Sequence, residues 1–352
     1  AQSGSNGGAP RTFGAIGGQR PAGGGNAGDA ARRIGERMKQ AFGPFRATLS
    51  PAQQATWDAE LAAMASAKRA PVYKLVDGKP EQVTKEFTAS GILGHGGAAF
   101  PAGRKWQVVH LDDGQPHYLC ANADEGEPGT FKDRWILEHN PHMLIEGMLI
   151  AAYALQVRNA FVYIRGEFDL PFRRLQGAVD EAYAAGLLGE GILGVDFSCD
   201  LVVYRGAGSY VCGEASGLLS SLEGKRGYPR NRPPRLTVKG LFQMPTVVNN
   251  VETLTNVTAI LALGAEAFKK VGTPKSPGTQ LVSISGHIAR PGVYEVEHGY
   301  PLKKFLFEDC GGMMPGAKLK CIIPGGISTK VLTAAEIEPI TYAHASFNAA
   351  GS

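Results

Sequence analysis

The sequence predicts an α/β protein: a layered unit around a largely parallel sheet, followed by a smaller module of short strands. Three observations predict this. From Phe87 to about Gly272, apolar stretches of strand length alternate with stretches of helical pattern, the order that builds an α/β layered fold. A glycine-lined loop carrying a lysine, Gly94 to Trp106, stands at the head of that alternation. From Gly278 to Leu332 the character changes to short strands with proline and glycine turns around a single helical stretch.

In chain order, Ala1 to Asn26 is rich in Gly, Ser, Ala and Pro and has little to bury, so a flexible tail is expected. Asp29 to Phe42 and Ser50 to Ala67 read as helices, the second with Ser50 as N-cap and Pro51 in its first turn. Val72 to Val83, with Asp77-Gly78 at its middle, reads as a β-hairpin. Tyr118 to Cys120 is a short apolar strand. Pro141 to Leu155 reads as an amphipathic helix with Leu144, Met148, Ile150 and Ala151 at core spacing. Ala160 to Arg165 is a continuous apolar strand, Leu170 to Ala185 a helix closed by Gly186, and Asp200 to Tyr204 the next strand. A last helix is expected from Pro301 to Glu308.

Length and composition set bounds. At 352 residues, 43% of them hydrophobic, the chain can bury a sizeable core. The formal charge of +4 is concentrated in residues 1 to 84, with 11 basic and 6 acidic residues against 25 and 26 in the remainder. The body therefore offers no basic stripe for nucleic acid. Five cysteines stand singly, Cys120, Cys199, Cys212, Cys310 and Cys321, with no CxxC pair. That pattern suits reduced thiols rather than a disulfide framework, and argues against an iron–sulfur cluster held by this chain alone. His287 and His298 lack a second ligand at metal-binding spacing, so no metal site is expected. No apolar run is long enough to cross a bilayer.

The chemistry concentrates in two stretches. In GHGGAAFPAGRKW, glycines let backbone N–H groups approach an anion closely, and Lys105 supplies a compact positive charge. In NADEGEPGT, from Asn122 to Thr130, amide and carboxylate acceptors follow a strand, where open α/β sheets hold their ligands. Asp124 and Glu125 fit a capped turn without a ligand equally well.

These stretches, with RGAGSYVCGE (Arg205 to Glu214), SLEGKRG (Ser221 to Gly227) and PTVVNNVETL (Pro245 to Leu254), resemble the NADH-oxidising flavoprotein subunit of respiratory complex I. Related subunits occur in NAD-linked formate dehydrogenases and hydrogenases. The resemblance runs from about Ser90 to the C-terminus. It implies a Rossmann-like flavin domain at 85–275, a β-grasp domain at 278–335, and at 336–352 the start of a further region. Residues 1–84 do not resemble the family's usual lead-in.

The resemblance implies FMN as cofactor and NADH as substrate. Gly94, Gly96 and Lys105 would face the phosphate and ribityl chain; Asn122, Asp124 and Glu125 the ring and hydroxyls. Tyr210, Gly213 and Glu214 would border the flavin, and Val248, Asn249, Asn250 and Thr253 close the pocket. Gly97, Phe100, Glu127, Arg232 and Arg235 would serve NADH, with Glu127 and Glu214 orienting it. Hydride would pass from NADH to the flavin and electrons singly to iron–sulfur subunits of a larger complex. The subunit would lie peripherally on the cytoplasmic side of the inner membrane. The 4Fe–4S ligand cysteines of the family are absent from this chain.

Four departures, His95, Ala215, Arg235 and Val108, are expected on the dinucleotide side, where they leave the choice of NADH or NADPH open. Two other readings stay open: a diaphorase subunit of a formate dehydrogenase or hydrogenase, and a non-catalytic scaffold paralogue retaining the fold.

Overall fold

A computed structural model describes residues 78–351, all within one compact unit. The expected tail, the helices at 29–42 and 50–67, and most of the 72–83 hairpin lie outside the described residues.

Strands β1 (His117–Ala123), β2 (Val157–Ile164), β3 (Asp200–Arg205) and β4 (Thr246–Asn250) form one sheet in the order β3-β2-β1-β4. All three pairings are parallel. Successive side chains of a strand point to opposite faces, and β1 shows what this achieves. Leu119, Ala121 and Ala123 enter the main core, while Cys120 packs on the other face with Tyr163, Leu218 and Val248. Apolar residues on both faces require cover on both, which is why the strands read as continuous apolar runs.

The main core is filled by helices α1 (Pro80–Ala89), α4 (Pro141–Ala154), α5 (Asp169–Ala184) and α7 (Val251–Leu263). Two short helices, α2 (Ala102–Gln107) and α3 (Lys132–His139), flank the crevice described below, and α6 (Ala215–Leu222) covers the opposite face. Helix α4 differs from its expected amphipathic form. Leu144, Ile145, Gly147, Met148, Leu149, Ile150, Ala151, Ala152 and Ala154 are all buried, because α4 packs against the sheet, α1, α5 and α7 at once. A Cβ on Gly147 would overlap the Leu254 carbonyl oxygen of α7, so only glycine permits this crossing.

The hairpin reading fails at its described end. Pro80 to Val83 are the first turn of α1, with Pro80 at a position that needs no backbone donor. Val83 and Phe87, one turn apart, enter the core, and Phe87 stacks on Trp106 with ring centroids 4.1 Å apart. The helical spacing of these two residues outweighs the Asp-Gly turn signal before them.

The second module opens with an antiparallel hairpin, β5 (Thr279–Ile284) and β6 (Gly292–Glu297). Its expected helix is shifted by one residue and widens midway, Leu302–Lys304 continuing as a π turn over Phe305–Asp309. Leu302, Phe305 and Leu306 pack with Val282, Val296, Leu332, Ile337, Ile340 and Tyr342. Residues beyond 335 thus belong to the core of this module.

Candidate functional site

The order β3-β2-β1-β4 reverses direction at β1, and ligands of such sheets lie beyond the strand C-termini at that switch point. Asn122 at the end of β1 is in register with Asn250 at the end of β4. The glycine loop and the acidic turn therefore meet at one edge with the paired asparagines, which lie over a hundred residues further along the chain.

Three contacts fix the glycine loop there. His95 N donates to Thr253 Oγ1 at 2.9 Å, Gly94 N to Phe100 O at 2.9 Å, and Trp106 Nε1 to Asn249 Oδ1 at 3.1 Å. Thr253 and Asn249 are buried, so they hold the loop rather than face a ligand. Gly96 and Gly97 are exposed. Gly97 sits at φ +95 with open space where a Cβ would be, and Gly96 lies over Asn250.

Helix α2 carries Lys105 into the crevice. Its Nζ donates to the Val248 carbonyl at 3.0 Å. Among the described residues no carboxylate lies within ion-pair distance of it. Burial, and then the nearby Arg232 guanidinium, hold this ammonium below the usual lysine range. On the other side, Asn122 Nδ2 donates to Gly213 O at 2.8 Å and its Oδ1 accepts from Asp124 N at 3.1 Å. Asp124 is buried with Oδ2 unpartnered. Burial pushes its carboxyl up to about 6, against the opposing effect of Arg165.

Several expected ligand residues are engaged elsewhere. Glu125 accepts from Asp133 N at 2.9 Å and Arg134 N at 3.0 Å, so its two oxygens satisfy the open amides of α3. Asn250 caps α7 through Glu252 N at 3.0 Å and donates to Asp133 Oδ2 at 2.6 Å. Glu214 caps α6 by accepting from Ser216 N and Gly217 N, and its other oxygen pairs with Arg232 at 2.6 Å. Phe100, Tyr210, Arg232 and Arg235 are exposed, Arg232 close enough to Lys105 to act on its charge. Tyr210 OH hydrogen-bonds Glu127 Oε2.

The His95 side chain is turned away from the crevice. It is buried, with Nδ1 3.2 Å from Glu252 Oε1 and its ring 6.0 Å from that of His298 in the second module. The backbone of the loop faces the crevice while this side chain turns inward to a buried carboxylate. Lys132 Nζ lies 2.8 Å from both Glu252 Oε2 and Asp133 Oδ1, and Leu281 N of β5 donates to Glu252 Oε1 at 2.6 Å. Burial opposes the charge on Glu252, but Lys132 and then His95 hold its carboxyl down at about 2. Sequence reasoning missed this cluster. A signal for it exists in Glu252, the only charged residue of the otherwise apolar or neutral α7.

A groove of about 610 Å³ on the second module, rimmed by Phe307, Met313, Met314 and Ile337, stands apart from these residues. It lacks the convergent polar groups of the crevice.

A parallel sheet with a glycine loop, a lysine that has no carboxylate partner among the described residues and an orphaned carboxylate oxygen at its switch point defines a nucleotide-binding α/β protein. Residues 87–259 match the Nuo51 FMN-binding domain and residues 281–326 an SLBB domain, and the chain belongs to the family of the F subunit of NADH-quinone oxidoreductase. It is 48% identical over 259 residues to that subunit (copy 2) of Rhizobium meliloti, covering 74% of this chain and 62% of the relative. To the Streptomyces coelicolor subunit it is 52% identical, covering 75% and 59%. The chain thus spans about six tenths of the length of these curated relatives. Among solved structures it is similar to an NAD+-reducing NiFe-hydrogenase in the H2-reduced state. The TM-score is 0.68 and the identity 36%, over 78% of this chain and 46% of that one.

Proposed function

We propose that this chain is the flavoprotein subunit through which NADH electrons enter a multi-subunit NADH:quinone oxidoreductase, with FMN in the β1/β4 crevice. The carrying observation is Lys105, a half-buried ammonium without a carboxylate partner among the described residues, bonded to the Val248 carbonyl two residues before Asn250, over which Gly96 lies. A buried cation of this kind is costly unless an anion completes it, and a flavin phosphate is such an anion. At the opposite end, the orphaned Asp124 Oδ2 and the Asn122 amide suit the hydroxyls of a ribityl chain. The residues present thus fit FMN.

Bound flavin supplies hydride acceptance and release of electrons one at a time. The chain's contribution is alignment and charge. Gly96 and Gly97 present backbone without side chains on their stretch of the crevice wall. Arg232 and Arg235 offer positive charge at the rim, and Phe100 an exposed ring for a base. Glu127 stands at the same rim as an acceptor for the donor dinucleotide. Glu125, Asn249, Asn250 and Thr253 support the walls, and the electron acceptors are iron–sulfur clusters of partner subunits. Among the described residues no helix is long and apolar enough to cross a membrane, so membrane association would run through partners.

The likeness to the NAD+-reducing hydrogenase supports a second reading, the diaphorase subunit of a hydrogenase, with the same flavin chemistry and other partners. Anaerobic titration of the FMN-loaded chain with NADH and NADPH, read as flavin bleaching, tests the shared claim. Bleaching by NADH is expected. Colourless protein that cannot be reconstituted with FMN would refute both readings and favour a scaffold role.

A further inference from the structure

The loop Gly325–Thr329 of the second module reaches across to the first, where it meets Glu127 and Tyr210. Ser328 N donates to Glu127 Oε1 at 3.0 Å while Tyr210 OH hydrogen-bonds Glu127 Oε2. The carboxylate is thereby clamped between the rim of the crevice and the second module. The Ile327 amide and the Ser328 hydroxyl add to the clamp.

The loop is built to hold this shape. Gly325 N donates to Thr329 Oγ1 at 3.1 Å, and Thr329 Oγ1 to Gly326 O at 3.0 Å, so one threonine braces both glycines. Gly326 sits at φ +82, where a side chain would be strained, and a Cβ there would overlap Cγ of Glu127. Yet the loop buries nothing of its own. Ile327 at its tip is 67% exposed, so the brace and the close approach to Glu127 have no packing purpose. Burial works against the charge on Glu127, but hydrogen bonds from Tyr210 and Ser328 hold its carboxyl below the usual range. It is an anion held ready as an acceptor.

We infer that the Gly325–Thr329 loop is a positioning element for Glu127: it sets the direction of that carboxylate toward the ribose or carboxamide donors of the incoming dinucleotide. Resting on the functional reading above, this gives the second module a part in donor recognition.

The test uses the FMN-loaded chain with NADH as donor and ferricyanide as acceptor. It compares wild type, Gly326→Ala, Glu127→Gln and their double variant, with Glu127→Ala added for hydrogen exchange. Gly326→Ala is expected to raise KM for NADH about tenfold, as for loss of one hydrogen bond to a charged group, with smaller change in kcat and none in FMN retention. Glu127→Gln should do the same, and the double variant should be no worse than either. Hydrogen exchange supplies a readout independent of turnover: the Ser328 amide should lose protection in Glu127→Ala. An unchanged KM in Gly326→Ala, additive effects in the double variant, or unchanged exchange in Glu127→Ala would each overturn the positioning role. Wild-type flavin that NADH fails to reduce would instead sink the functional reading, and is told apart because the exchange difference would persist.

Discussion

Replacing Lys105 by methionine separates the cost of a buried cation from its use. In the chain without flavin the ammonium is half-buried, hydrogen-bonds only the Val248 carbonyl at 3.0 Å, and is held below its ordinary range by burial and by Arg232. A folded pKa below the unfolded one means that the unfolded chain binds protons more tightly. Native stability therefore rises with pH on the alkaline side as the ammonium discharges. Methionine of similar length removes the charge, so the flavin-free chain should gain about 1 kcal/mol at pH 7. It should also lose that alkaline rise. Flavin affinity should move the other way. A hydrogen bond to a charged group contributes about 1.5–3 kcal/mol, so FMN should bind roughly tenfold to a hundredfold more weakly. Thermal melts of the flavin-free chain at two pH values, with FMN binding followed by fluorescence quenching, measure both arms. A less stable flavin-free variant with FMN affinity within about twofold of wild type would refute the reasoning.

Two further substitutions probe the scaffold beneath the crevice. Glu252→Ala leaves Lys132 buried without one of its two carboxylates and frees the Leu281 amide; denaturant unfolding should show a loss of about 3–5 kcal/mol. Because the Glu252 carboxyl is held down at about 2, its stabilisation is present above the ordinary glutamate range and is lost as pH falls toward 2, a decline that the alanine variant should lack. Gly147→Ala forces α4 away from the Leu254 carbonyl and should cost about 2–3 kcal/mol in the same assay, with FMN affinity of the folded fraction unchanged.

Much of this architecture was legible along the chain. The strands ending at Ala123, Ile164 and Arg205 and the helices between them follow from apolar runs bounded by turn residues, since parallel strands buried on both faces permit little else. The turn character of Gly94–Gly97 and the strand-end position of Asn122 were legible too, because glycine runs and strand-end amides use few residue types. Helix α1 was hidden by an Asp-Gly signal just before it, and the outcome there was decided by Val83 and Phe87 finding a core built mostly from later residues.

What the sequence by itself determined was the alternation of elements and the stock of groups available at the sheet edge. Only the tertiary structure decided which of those groups face the crevice. Glu125, Asn250 and Glu214 are spent on helix N-termini, because open amides near a carboxylate or amide oxygen are satisfied locally. His95 turns inward because a buried Glu252, 157 positions later, offers it a partner. Glu127 meets Ser328 across 201 positions, a distance over which no local pattern carries information. Contacts of that kind arise from how two folded surfaces meet, and neither surface exists until its own core has formed.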